Sequence, residues 1–180
     1  GYVFLVEGYF DVLSLNKLGF SNAASPSGTA LTLQQLESVA RYTNKILICF
    51  DNDEAGLKAT ERVLEIKNQV SKQLEIHCLN LPSEFKDISE VFETKPEAFK
   101  DILKNNDEIV EFLLNKFIKE NEHILIESTN RISQKMRERG GGISNIKLVR
   151  KSKELKSYYQ LNVDFNTIDS MGANFINSCL

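Results

Sequence analysis

The sequence predicts an α/β fold: a parallel sheet flanked by helices, followed by further helices and a short α+β segment. Three observations carry that prediction. Val3-Phe4-Leu5-Val6 and Ile46-Leu47-Ile48-Cys49-Phe50 are short unbroken apolar runs, which suit strands buried on both faces. Helical stripes separate such runs. The alternation of strand and helix repeats at spacings that parallel crossovers need.

Each element has its own grounds. After the first strand, Phe10, Val12, Leu13, Leu15 and Leu18 form a helical stripe that stops at Gly19. Asn22-Ala23-Ala24-Ser25 reads as a second strand, running into the turn-rich Ser25-Pro26-Ser27-Gly28-Thr29. Thr32 caps a helix through Leu33, Leu36 and Val39-Ala40. The third strand, Ile46–Phe50, ends in Asp51-Asn52-Asp53, and Glu54 to about Val70 follows as a helix. Leu74–Leu81 is a fourth strand, and Pro96 to about Ile118 reads as two helices with no strand between them. A helical segment from Ile124 to Arg139 then meets Gly140-Gly141-Gly142, followed by strands Ile143–Val149 and Tyr158–Phe165. The expected domains are 1–94 (sheet core), 95–122 (helical extension) and 123–180 (partial α+β segment).

Composition narrows the class. At 180 residues, 42% hydrophobic and 26% charged, the chain can bury a core and is not a disordered polymer. No apolar run approaches the roughly 18 residues of a membrane span. Gly1-Tyr2-Val3-Phe4-Leu5-Val6-Glu7 has neither an initiator Met nor a basic signal region and reads as the interior of a longer chain. Cys49, Cys78 and Cys179 are far apart without metal-ligand spacing, so a reducing, cytoplasmic compartment is expected. His77 and His123 have no partners at ligand spacing. The net charge of -3 divides unevenly: residues 1–122 carry 13 Lys and Arg against 20 Asp and Glu, and residues 123–180 carry 9 against 5. An acidic catalytic module beside a basic nucleic-acid module would show this split, as would two unrelated pieces.

The chemistry lies in the acids. Ligands of open parallel sheets bind beyond the carboxyl ends of the strands. Glu7 ends the first strand, Asp51 the third, and Asp53 lies two residues on. Carboxylates aimed at one crevice repel unless a cation sits among them, and hard oxygen ligands suit Mg²⁺ or Mn²⁺. Ordinary turn chemistry, a phospho-acceptor or a ribose-binding acid are alternative readings of the same positions.

Glu7-Gly8-Tyr9-Phe10-Asp11-Val12, Ser27-Gly28-Thr29-Ala30-Leu31-Thr32 and Phe50-Asp51-Asn52-Asp53-Glu54-Ala55-Gly56 resemble, in order and spacing, the TOPRIM core of bacterial DnaG-type DNA primases. The resemblance covers about residues 2–118. It implies a TOPRIM-like sheet and Mg²⁺- or Mn²⁺-dependent synthesis of RNA primers on single-stranded DNA from nucleoside triphosphates. It also implies a replicative helicase as partner. On that resemblance Glu7, Asp51 and Asp53 are catalytic, and Glu7, Asp11, Asp51, Asp53 and Asp87 hold metal. Gly8 and Gly28 would allow close backbone approach, with an ordinary turn the alternative for each, and Thr29 would donate to a phosphate. The family's Asp-Pro-Asp is here Lys86-Asp87-Ile88-Ser89-Glu90, so Ser89 replaces the second acid. Asp87-x-x-Glu90 is also a capping box before Val91-Phe92. Arg41, Lys45, Lys58 and Arg62 offer phosphate contacts to a nucleic acid, or else are solvated helix faces. A non-catalytic metal- or nucleotide-binding module is the alternative to an enzyme.

The tail has a different texture. Met136-Arg137-Glu138-Arg139-Gly140-Gly141-Gly142, Val163-Asp164-Phe165 and Asp169-Ser170-Met171-Gly172-Ala173-Asn174 resemble the small nucleotide-binding domain of hydroxymethylglutaryl-CoA reductases over residues 124–180. That resemblance implies Asp169, Met171, Gly172 and Asn174 as NAD(P) contacts, since a glycine-bearing helix N-terminus favours phosphate. It makes the chain an apparent chimera or fragment joined near residues 118–126, without the reductase's catalytic residues.

Overall fold

The computed structural model describes residues 1–130, 134–151 and 158–168. They fall into two compact units, Gly1–Leu113 and Leu114–Leu180.

The first unit is built on a five-stranded sheet of order β2-β1-β3-β4-β5. β1 (Val3–Val6) pairs in parallel with β2 (Ala23–Ala24) and β3 (Lys45–Cys49); β3 pairs in parallel with β4 (Glu75–Leu79). Both faces are covered, which is why β1 and β3 are apolar without alternation. One face carries Leu5, Ile46, Ile48, Ile76 and Cys78 beneath α2 (Leu33–Ala40), α3 (Glu54–Lys67) and the start of α6 (Ile109–Asn130). The other carries Phe4, Val6, Leu47, Cys49 and Leu79 beneath α1 (Tyr9–Lys17), α4 (Ile88–Thr94) and α5 (Phe99–Lys104). Phe4, Phe20 and Phe99 pack ring against ring on that second face, with centroids 5.3 to 6.1 Å apart. Burying such rings contributes about 2 kcal/mol or more each.

The sequence expectations are met for the parallel sheet and its flanking helices, and Thr32 caps α2 reciprocally with Gln35. One expectation fails. β5 (Asn106–Glu108) lies between α5 and α6, where two helices without a strand were expected. It pairs antiparallel with β4, His77 opposite Glu108 and Leu79 opposite Asn106, and so covers the open edge of the sheet. Asn-Asp-Glu carries no strand propensity; the edge itself supplies the reason. The segment after residue 95 also contributes to the core, because Phe99, Ile102 and Ile109 are buried.

α6 continues unbroken through residues 118–126. α7 (Gln134–Arg137) is followed by an antiparallel ribbon of β6 (Gly142–Arg150) and β7 (Tyr159–Asn166), matching the two expected strands. The glycine triplet is a helix stop. Gly140 and Gly141 donate their amides to the carbonyls of Arg137 and Met136, and Gly140 takes the left-handed φ of +87° that such a stop requires. Among the described residues no helix is long and apolar enough to cross a membrane.

Candidate active site at the carboxyl ends of β1 and β3

β1 and β3 run side by side, Val6 opposite Cys49, so the residues that follow them emerge together. The Glu7 carboxylate accepts a hydrogen bond from the Asp51 amide, Oε1 to N 3.0 Å. That bond pins one acid against the backbone of the other. The Ser25 hydroxyl donates to the Glu7 carbonyl, fixing the loop after β2 to the same strand end.

Asp51 itself is one-fifth exposed, and Lys86 Nζ lies 3.2 Å from its Oδ2. Burial pushes the Asp51 carboxyl above the usual range, against the pull of Lys86, and the nearby charges of Asp87 and Asp53 add to the rise. Burial likewise raises Glu7; the Asp51 amide opposes it, and Asp51, Asp53 and Asp11 repel its charge. The acids therefore sense one another, and Lys86 offsets the charge of Asp51.

Asn52 joins two loops. Its amide donates to the Lys86 carbonyl, 2.6 Å, and its side chain donates to the carbonyls of Pro82 and Phe85. The β3–α3 and β4–α4 loops thus stand together above the sheet. Asp53 caps α3 by accepting from Gly56 N, 3.0 Å. Gly56 is obligatory there: a Cβ would sit 1.9 Å from the Asp51 carbonyl oxygen.

Asp11 is 6% exposed and serves two helices at once. One oxygen accepts from Gly8 N at the start of α1, 3.1 Å; the other accepts from the Ser89 amide and hydroxyl at the start of α4, 3.2 and 2.9 Å. Burial raises its carboxyl; the Ser89 bonds oppose that, and Asp87 adds repulsion. The Ser89 hydroxyl thus donates where an acid would add a further charge. Asp87 caps α4 by accepting from Glu90 N, 2.8 Å. Glu90 completes the expected box one residue further back, accepting from Lys86 N instead of Asp87 N.

One cleft of about 720 Å³ collects Glu7, Gly8, Asp11, Gly28, Asp51 and Asp87 along its wall. Asp53 and Thr29 are not among its lining residues; Thr29 spends its hydroxyl on the Pro26 carbonyl, 2.8 Å, and shapes the loop. Gly28 takes a φ of +78° in that loop. Gly8 has an ordinary φ of -103°, and its bare Cα leaves room for the Asp11 carboxylate, which a Cβ would approach to 3.0 Å. Among the described residues no three His, Cys, Asp or Glu side chains are gathered tightly enough to hold a metal ion by themselves. The donor set is nonetheless all hard oxygen, mutually repelling, with an ammonium group where positive charge is needed. These are the terms that suit a hard divalent cation completed by water and substrate oxygens. Sequence reasoning passed over Lys86 and Gly56 as site residues. Lys86 is adjacent to Asp87 in the departing motif, and Gly56 closes the Asp-x-Asp segment.

Asp169, Met171, Gly172 and Asn174 lie outside the described residues.

Residues 4–92 match the family described as Toprim-like. The DNA primase of Campylobacter jejuni is 50% identical over 60 residues, covering 33% of this chain and 10% of that protein. The DNA primase of Aquifex aeolicus is 33% identical over 114 residues, 63% of this chain and 22% of that protein. The chain therefore spans only about a tenth to a fifth of the length of these curated relatives. A solved DnaG primase catalytic domain bound to single-stranded DNA superposes with a TM-score of 0.56 at 25% identity, over 76% of this chain and 44% of that one. The comparisons lend no support to the reductase resemblance of the tail. The first unit has the mostly parallel, helix-flanked sheet of the primase TOPRIM fold, and the residues that match the Toprim-like family lie within it.

Proposed function

We propose that this chain carries the metal-binding catalytic core of a DNA primase, joining ribonucleotides on a single-stranded DNA template. The observation that carries the reading is the Glu7 carboxylate held on the Asp51 amide across the ends of two parallel strands. The relation to primases, one of them solved with single-stranded DNA, supports the choice of reaction.

Glu7 and Asp51 are the residues to hold Mg²⁺ or Mn²⁺ beside the attacking 3′-hydroxyl. Asp51, Asp53 and Asp87 would serve the ion that accompanies the incoming triphosphate. A divalent ion so bound lowers the pKa of the attacking hydroxyl and stabilises charge on the leaving pyrophosphate. The remaining work belongs to the chain. The Asp51 amide orients Glu7, so its carboxylate is preorganised for positive charge. Asn52 keeps the Asp51 and Asp87 loops at a fixed separation. Lys86 neutralises Asp51 in the free protein and, on a long exposed stem, can turn toward triphosphate oxygens. Asp11 works through Ser89 and Gly8, fixing α1 to α4 beneath the acids, and is a positioning residue. Gly8 and Gly28 keep the cleft wall free of side chains where phosphate approaches.

Dinucleotide synthesis tests the proposal. With the remaining domains of a relative supplied in trans, the chain should form a dinucleotide from ribonucleoside triphosphates on single-stranded DNA, dependent on Mn²⁺ or Mg²⁺. Asp51→Asn should abolish it. Nucleotide binding with no product under those conditions would favour the alternative, a non-catalytic nucleotide-binding module. A replicative helicase is the partner this reading implies.

A further inference from the structure

The acid cleft does not end at the acids. The same cavity runs along α1 and α4, where Phe10, Leu13, Lys17 and Phe92 line it. Phe10 is 76% exposed and Leu13 40% exposed, although both sit in the first two turns of a helix whose Asp11, Ser14 and Leu15 are buried. Lys17 Nζ stands 5.3 Å from the centroid of the Phe92 ring, so a cation already covers that aromatic face. Phe10 and Lys17 are seven residues apart on α1, about 10 Å along its axis at 1.5 Å per residue. The cavity is therefore bipolar. One end is acidic and suited to a phosphate-bound divalent cation; the other offers apolar rings and an ammonium group, with the Glu93 carboxylate beside Phe92 in the same lining.

We infer that the aromatic end of this cleft, Phe10 and Phe92 with Lys17, is the seat for the base of a nucleoside triphosphate whose phosphates lie at the acid end. The inference rests on the proposed function for the position of the phosphates. Its own support is the continuity of the cavity, whose volume of about 720 Å³ falls in the range of small-molecule sites. Every nucleobase has a π face, so two rings and a flexible cation bind bases with little sequence preference. That property suits a site which must accept all four nucleotides. The Lys17 ammonium leaves or shares the Phe92 face when a base stacks there, and its stem remains along the wall. A protein segment seated on the same rings would not need an acid end at all.

The test compares ligands with and without a base. Binding of ATP and of inorganic tripolyphosphate, each with Mn²⁺, is measured by calorimetry for the full chain, Phe10→Ala, Phe92→Leu and Lys17→Ala. Base–aromatic stacking contributes about 1–3 kcal/mol per base, so Phe92→Leu should weaken ATP by roughly tenfold and leave tripolyphosphate unchanged. Phe10→Ala should do the same to a smaller degree; its side chain is exposed, so loss of folding does not confound it. Equal loss for both ligands, or no loss for either, overturns the subsite. Weakened binding of a single-stranded oligodeoxynucleotide with ATP unchanged also overturns it, because the rings would then serve a template strand. Failure of the unaltered chain to bind tripolyphosphate with Mn²⁺ overturns the proposed function, and this inference with it.

Discussion

Single residues at this site hold two positions at once. Gly56 lets the start of α3 approach the Asp51 carbonyl so closely that any side chain collides with backbone. Gly56→Ala should cost about 3 kcal/mol, because neither the loop nor the helix can give way, and urea unfolding measures it. The family resemblance places Asp11 among the metal-binding acids; in the fold its two oxygens accept from Gly8 and from Ser89, 78 residues away. Removing a buried partner costs the desolvation of what remains, about 1–3 kcal/mol. Ser89→Ala should therefore destabilise the chain in that range while leaving Mn²⁺ affinity within about twofold. Nothing in the local sequence around Ser89 signals the bond, since its partner is distant. The identity of the acids at the strand ends was readable from spacing; their hydrogen-bond partners were not.

At the level of elements, caps were the most readable feature because capping chemistry is local. Thr32 with Gln35 and Asp87 before α4 behave as their spacing implies. Thr32→Ala should lower stability by about 1 kcal/mol without touching the acid cleft, which makes it a fold control for every site variant. The apolar runs of β1 and β3 announced strands covered on both faces, and both are. β5 was missed for a physical reason: three polar residues become a strand only because β4 presents an open edge to them. The glycine triplet is equally local in its effect: two of its amides close the end of α7.

At the scale of the whole molecule, charge decides more than its total of -3 suggests. Glu7, Asp11 and Asp51 all have carboxyls raised by burial in the fold. A raised carboxyl binds its proton more tightly folded than unfolded. Its contribution to stability is thus complete below the ordinary carboxylate pKa and is lost as pH rises through the raised value. The acid cluster should therefore make the fold less stable at about pH 7 than just above the ordinary carboxylate range. Glu7→Gln should shrink that difference in parallel urea titrations, since the amide oxygen can still accept from Asp51 N. A bound divalent cation should stabilise the neutral-pH fold as well, by mass action.

Glu7 and Asp51 together should bind a divalent cation. Mn²⁺ titration of the full chain, followed by the loss of the free-ion paramagnetic resonance signal, tests it directly. Saturable binding should be weakened at least about tenfold by Asp51→Asn and by Glu7→Gln, and unchanged in Thr32→Ala. Affinity that is the same in both acid variants as in the unaltered chain would contradict it.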